Sequence, residues 1–151
     1  MLGALLLGCC ADAGLHRALL ARWQADPEAA LWYVPGAPCA VALTLDDGPL
    51  ATTTPAILDL LAEHGATATF FLLGNGIPGN EALVRRMLDE GHELGHHMAR
   101  DFPTVLLTER AFVAGFDLTA ARLEALGPVR WFRPGWGFHE ETISQRARAR
   151  G

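Results

Sequence analysis

The chain has 151 residues, one domain's worth, and a globule of this size buries about 68–70% of its unfolded surface. Half of the residues are hydrophobic and 19% are charged, a composition that excludes a largely disordered chain. Seventeen acids against twelve bases give a net charge of −5, which speaks against a nucleic-acid footprint; all twelve bases are arginine, so no lysine nucleophile or Schiff base is available.

Met1–Gly8 has the outline of an export leader. It lacks the basic flank, and its apolar stretch of about seven residues sits at the lower limit for such a core. Leu6-Leu7-Gly8-Cys9 resembles a lipoprotein cleavage box. Secretion or cell-surface placement is therefore an expectation beside the plain reading of a ragged start. Cys9, Cys10 and Cys39 are too few for a disulfide framework and read as small apolar residues. No apolar run reaches the roughly 18–20 residues of a membrane span.

Ala11–Leu31 carries apolar residues at helical spacing and reads as an amphipathic helix, with Trp32–Pro38 as a Pro/Gly-punctuated connector. Residues 1–39 are thus set apart from 40–151. Ala40–Leu45 is a short apolar run, the pattern of a strand buried on both faces. Thr52–Gly65 follows as a helix, with Thr54 as N-cap, Pro55 in the first turn and Gly65 as the stop. Ala66–Leu73 is a second buried strand, and Asn80–Glu90 a helix closed by Gly91. His92–His97 reads as a third short strand or loop. Thr108–Leu126 is a helix that Gly127-Pro128 ends, Val129–Phe132 a fourth strand, and Glu140–Arg150 the start of a fourth helix.

The order βαβαβαβα implies an α/β fold with right-handed parallel crossovers. Sites in such folds form beyond the carboxyl ends of the strands, where Asp46-Asp47, Asn75, His96-His97 and Arg133 cluster. A closed eight-fold barrel takes about 250 residues, so this chain supplies fewer than five βα units at that rate.

Three segments carry chemistry. In Asp46-Asp47-Gly48-Pro49, adjacent carboxylates at a strand end point in different directions, so one can hold a metal while the other takes a proton from water. In Gly91–Asp101, three histidines fall within six residues. His97 and Asp101 are four apart and would share one face of a helical turn. His92 and His96 share that spacing and are the rival pair, although His92 lies at the start of the strand, where this spacing separates ligands. In Trp131–Gly137, Arg133 follows an aromatic strand in a Pro/Gly loop and can ion-pair an active-site carboxylate.

Together these segments resemble the polysaccharide deacetylase family, the NodB-like carbohydrate esterases. The family's first block, Thr-Phe-Asp-Asp-Gly-Pro, is matched by Thr44-Leu45-Asp46-Asp47-Gly48-Pro49. An Ala-Thr-Phe-Phe strand is matched by Ala68-Thr69-Phe70-Phe71. The second block, Gly-His-Glu-(Ile/Leu)-Gly-Asn-His-Thr-x-x-His, is matched by Gly91–Asp101, with His96 at the asparagine position and Asp101 at that of the last histidine. An Arg-Pro-Pro-(Tyr/Trp)-Gly loop is matched by Arg133-Pro134-Gly135-Trp136-Gly137. The blocks run in order over residues 40–140.

The resemblance implies a distorted (β/α) barrel and metal-dependent hydrolysis of N-acetyl groups on amino sugars in a chitin- or peptidoglycan-type polysaccharide. It makes Asp46 the general base and Arg133 the residue that orients it. It makes Asp47, His97 and Asp101 the ligands of a divalent metal, zinc foremost, and gives the oxyanion to the Trp136 backbone N–H. A carboxylate ligates zinc at about 2.0–2.2 Å, so Asp101 is admissible as third ligand. The family's later blocks, an aspartate–tryptophan pair and a histidine general acid, have no counterpart, and His139 is no substitute. The chain is thus expected to be the front portion of a deacetylase domain. A catalytically degenerate, carbohydrate-binding form of the family is the alternative. A two-metal phosphoesterase would need a second ligand cluster, which the sequence lacks.

Overall fold

The structure, a computed structural model, describes residues 41–137 and 141–150. The leader, the Ala11–Leu31 helix, the connector, the three cysteines and His139 fall outside the described residues. Four strands, β1 (Thr44–Gly48), β2 (Thr69–Leu72), β3 (Glu93–His96) and β4 (Val129–Phe132), alternate with helices α1 (Thr54–Glu63), α2 (Glu81–Asp89), α3 (Glu109–Glu124) and α4 (Glu141–Arg148). All neighbours pair parallel, in the order β1-β2-β3-β4. The α/β succession is the expected one, with four consecutive parallel strands among the described residues.

The helix boundaries follow local chemistry. At α3 the Thr108 hydroxyl accepts from the Ala111 N–H at 3.3 Å, satisfying one of the donors a helix start leaves open. At α1 the N-cap is Thr53 rather than Thr54, and the Thr54 hydroxyl instead accepts from the Leu50 N–H at 2.9 Å. Gly65 follows α1 at φ +58°, a conformation that costs a side-chain-bearing residue.

Two apolar clusters hold the layers together. Leu58 and Leu61 of α1, Val84 and Met87 of α2, Phe70 and Leu72 of β2, Leu94 of β3 and Leu123 of α3 form the first. Phe112 and Phe116 of α3, Ile143 of α4 and Met98, just beyond β3, form the second, with Phe132 of β4 packed against it.

The expectation that Ala40–Leu45 is a strand buried on both faces is corrected. The strand begins at Thr44 and carries the Asp-Asp pair within it; Val41 and Leu43 are 94% and 43% exposed. β1 and β4 end the row of described strands, with only one neighbour each, and their side chains are mostly exposed or half-buried. The buried pattern belongs to β2 and β3, which have neighbours on both sides.

Candidate metal centre

Adjacent residues of a regular strand point to opposite faces. At the Asp46-Asp47 pair the ladder slips: Asp46 stands opposite Phe71 and Gly48 opposite Leu72, leaving Asp47 as the extra residue of a bulge. Asp47 takes φ +68°, in the left-handed region that aspartate tolerates better than most residues. The result is that both carboxylates face one imidazole. His97 Nε2 lies 3.6 Å from Asp47 Oδ1 and 4.0 Å from Asp46 Oδ2.

His97 is buried and held twice. Its backbone N–H donates to the Leu72 carbonyl at 3.0 Å, carrying the β2–β3 ladder one residue past the strand. Its Nδ1 lies 2.8 Å from the Arg133 carbonyl oxygen. A carbonyl only accepts, so Nδ1 carries a proton and Nε2 is the ring nitrogen that faces the carboxylates, the atom placed to ligate a cation. One donor atom each of Asp47, His97 and Asp101 lies within 4.8 Å of the others. Metal bonds near 2.0–2.2 Å set ligand atoms about 3–4 Å apart, so side-chain adjustments of about 1 Å close the three on one cation. An imidazole nitrogen flanked by two carboxylates is a donor set that fits a divalent ion. Without a cation the site strains against itself: partial burial, then the negative charges of Asp101 and Asp46, push the Asp47 carboxyl above its usual range, opposed by His97.

The helical-turn reasoning for His97 and Asp101 is corrected. Residues 97–103 form an irregular loop, turned at Met98 by φ +65°. Asp101 reaches the site because that loop is tied down. The Gly74 and Asn75 N–H groups donate to the Met98 and Ala99 carbonyls, both at 2.9 Å, and the Met98 side chain is buried in the second cluster.

Arg133 joins the two halves of the site. While its carbonyl accepts from His97, its Nη1 donates to Asp46 Oδ1 at 2.6 Å and to the Thr44 hydroxyl at 3.1 Å. Its guanidinium lies over the Phe71 ring, 4.0 Å from the centroid. Phe71 in turn covers Gly95, where a Cβ would fall 2.5 Å from a ring carbon. The loop beyond Arg133 is pinned by the Gly135 N–H donating to the buried Thr104 hydroxyl at 2.7 Å. A Cβ at Gly135 would meet the Phe102 carbonyl oxygen at 2.1 Å. Thr44, Phe71, Gly95 and Thr104 were not singled out in the sequence. Thr44, Phe71 and Gly95 lie within matched blocks that do not mark them as supports, and Thr104 lies outside those blocks.

Trp136 stands on the Gly135–Gly137 turn at φ +61° and is 64% exposed. The N–H groups on either side of it are engaged, Gly135 with Thr104 and Gly137 with the Pro134 carbonyl.

The rival pair does not come together. His92 sits just before β3 and accepts on Nδ1 from the Ala68 N–H at 3.3 Å. His96 ends β3; its Nε2 lies 3.0 Å from the Phe116 carbonyl, its Nδ1 accepts from the Met98 N–H at 3.1 Å, and its ring stacks on Phe116. Burial lowers the pKa of both histidines. Both serve packing, and His96 also braces the turn between His97 and Asp101.

The sequence profile of the polysaccharide deacetylase family matches residues 34–151. The chain is 44% identical over 80 residues to a peptidoglycan-N-acetylglucosamine deacetylase of Bacillus cereus, an alignment covering 52% of this chain and 38% of that one. It is 43% identical over 82 residues to a chitooligosaccharide deacetylase of Bradyrhizobium, covering 54% and 37%. The solved Bc1960 peptidoglycan N-acetylglucosamine deacetylase superposes with a TM-score of 0.71 at 33% identity, over 77% of this chain and 55% of that one. The chain therefore spans less than two thirds of the length of each of these relatives. No helix among the described residues is long and apolar enough to cross a membrane.

Proposed function

The chain belongs to the polysaccharide deacetylase family, and from that premise we propose that it hydrolyses N-acetyl groups from amino sugars of a peptidoglycan- or chitin-type polymer with the help of a divalent cation. The observation that carries this reading is the convergence of Asp47, His97 and Asp101 beside a carboxylate, Asp46, that is held by an arginine.

Asp47, His97 through Nε2, and Asp101 would hold the cation. When bound, it supplies Lewis acidity to the acetamide carbonyl and to water. Asp46 is the base that takes the proton of the attacking water. Its Oδ1 is fixed by Arg133, and Oδ2, on the side facing His97, is the oxygen placed to receive the proton. Exposure of Asp46 and Asp47 leaves the site open to a polymer chain. The Trp136 N–H donates to the oxygen on which negative charge develops; one such donor is worth about 10²–10³ in rate.

Deacetylation of N-acetylated oligosaccharides with added cation tests this. Replacing Asp46 by Asn keeps the shape and removes the base, and is expected to lower kcat by about 10²–10⁴-fold. An Asp46→Asn variant as fast as the parent would show the base to be elsewhere.

A further inference from the structure

The donor set of the site is unusual in its balance of oxygen and nitrogen. Among the described residues one imidazole nitrogen, His97 Nε2, meets two carboxylates, Asp47 and Asp101. A third carboxylate, Asp46, stands 4.0 Å from the same nitrogen. Among the described residues no second imidazole is positioned to join. His96 has both ring nitrogens engaged, with the Phe116 carbonyl and the Met98 N–H, and is stacked on Phe116. His92 accepts from the Ala68 N–H at the opposite end of β3. The site is also open: Asp47 is about half exposed, so water has room to complete a coordination sphere.

Carboxylate and water oxygens suit manganese and its harder neighbours, whereas imidazole favours zinc. Zinc generally outcompetes manganese at mixed sites, and that margin narrows as oxygens replace nitrogens. Two carboxylates also cancel the charge of a divalent ion, whichever ion it is, so electrostatics adds affinity without adding zinc selectivity. We propose that the Asp47–His97–Asp101 centre is an oxygen-dominated cation site that discriminates little between zinc and manganese, and that Asp101 is the residue that sets this low discrimination. The inference rests on the deacetylase reading only for the location of the cation, not for turnover.

The test is calorimetric titration of the full chain, stripped with a chelator, with Zn²⁺ and with Mn²⁺ at neutral pH, with manganese binding followed independently by its electron paramagnetic resonance signal. The expected result is a zinc-to-manganese affinity ratio within about tenfold in the parent, widening by at least about tenfold in Asp101→His. A parent that already prefers zinc by about a thousandfold overturns the proposal. So does an Asp101→His variant that folds and keeps the parent's ratio. Should that variant not fold, the parent's ratio decides alone. Neither readout involves substrate: cation binding with the expected ratio but no deacetylation sinks the functional reading and leaves this inference standing, whereas deacetylation with strict zinc preference does the reverse. Absence of binding by either ion overturns both.

Discussion

Arg133 serves both sides of the site from one position. Its carbonyl sets the tautomer of His97, and its guanidinium holds Asp46. The two tasks are separable, because substitution removes the side chain and leaves the carbonyl. Arg133→Ala should therefore lower kcat while cation affinity, measured by calorimetry, stays near the parent value. Loss of both together would mean that the side chain also maintains the backbone. Thr44 shares the same guanidinium nitrogen. Thr44→Val removes one neutral acceptor and is expected to cost no more than about tenfold in kcat, in keeping with the roughly 0.5–1.5 kcal/mol of an ordinary hydrogen bond. Asp47 brings a pH signature. Burial and the neighbouring carboxylates raise its folded-state pKa above the ordinary 3.8. The stabilisation linked to its protonated form is complete below that value and is lost as pH rises through the raised folded value. The cation-free chain should thus lose melting temperature over that interval, and added cation should restore it, since binding takes the ionised carboxylate. Melting curves with and without cation across the carboxylate range check this. An Asp47→Asn variant with the same pH slope as the parent would place the effect elsewhere.

At the scale of elements, the site depends on departures from regular structure. The bulge at Asp47 brings two adjacent carboxylates toward one imidazole, which an unbroken strand would not do. The Met98 turn delivers Asp101 from a loop. Neither was legible in the sequence. The spacing of His97 and Asp101 pointed to the right residues through the wrong geometry, because four-residue spacing specifies proximity only on a helix and residues 97–103 are not one. The β2–β3 register is a further support: Gly95 stands opposite Phe71, and the missing Cβ lets that ring lie under Arg133. Gly95→Ala should destabilise the fold by about 1–3 kcal/mol, the usual cost of overpacking. It should also reduce kcat beyond what the remaining folded fraction explains. Chemical denaturation alongside kinetics separates the two effects. A variant of parental stability and rate would show that Phe71 adjusts freely.

For the whole molecule, the succession of strands and helices was readable because helix boundaries carry their own chemistry, such as Thr108 at the start of α3 and Gly65 beyond α1. Val129–Phe132 coincides with β4. Burial was less readable: apolarity marks a strand but does not say whether neighbours flank it. β2 has neighbours on both sides and matches the buried reading; β1 does not, and β3, which reads in the sequence only as a short strand or loop, is buried as well. The blocks that carry chemistry were legible because they sit at the carboxyl ends of parallel strands, where the topology gathers them. The supporting roles of Phe71, Gly95 and Thr104 were not, since they arise from contacts between segments distant in sequence.

Anomalous X-ray diffraction from crystals of the chain soaked in Mn²⁺ would show whether Asp47, His97 and Asp101 share one cation. One strong peak is expected within about 2.0–2.3 Å of an Asp47 oxygen, His97 Nε2 and an Asp101 oxygen, with Asp46 still on Arg133 and outside the coordination sphere. A peak bound through other residues, or Asp46 taking the place of Asp101 as ligand, would contradict it.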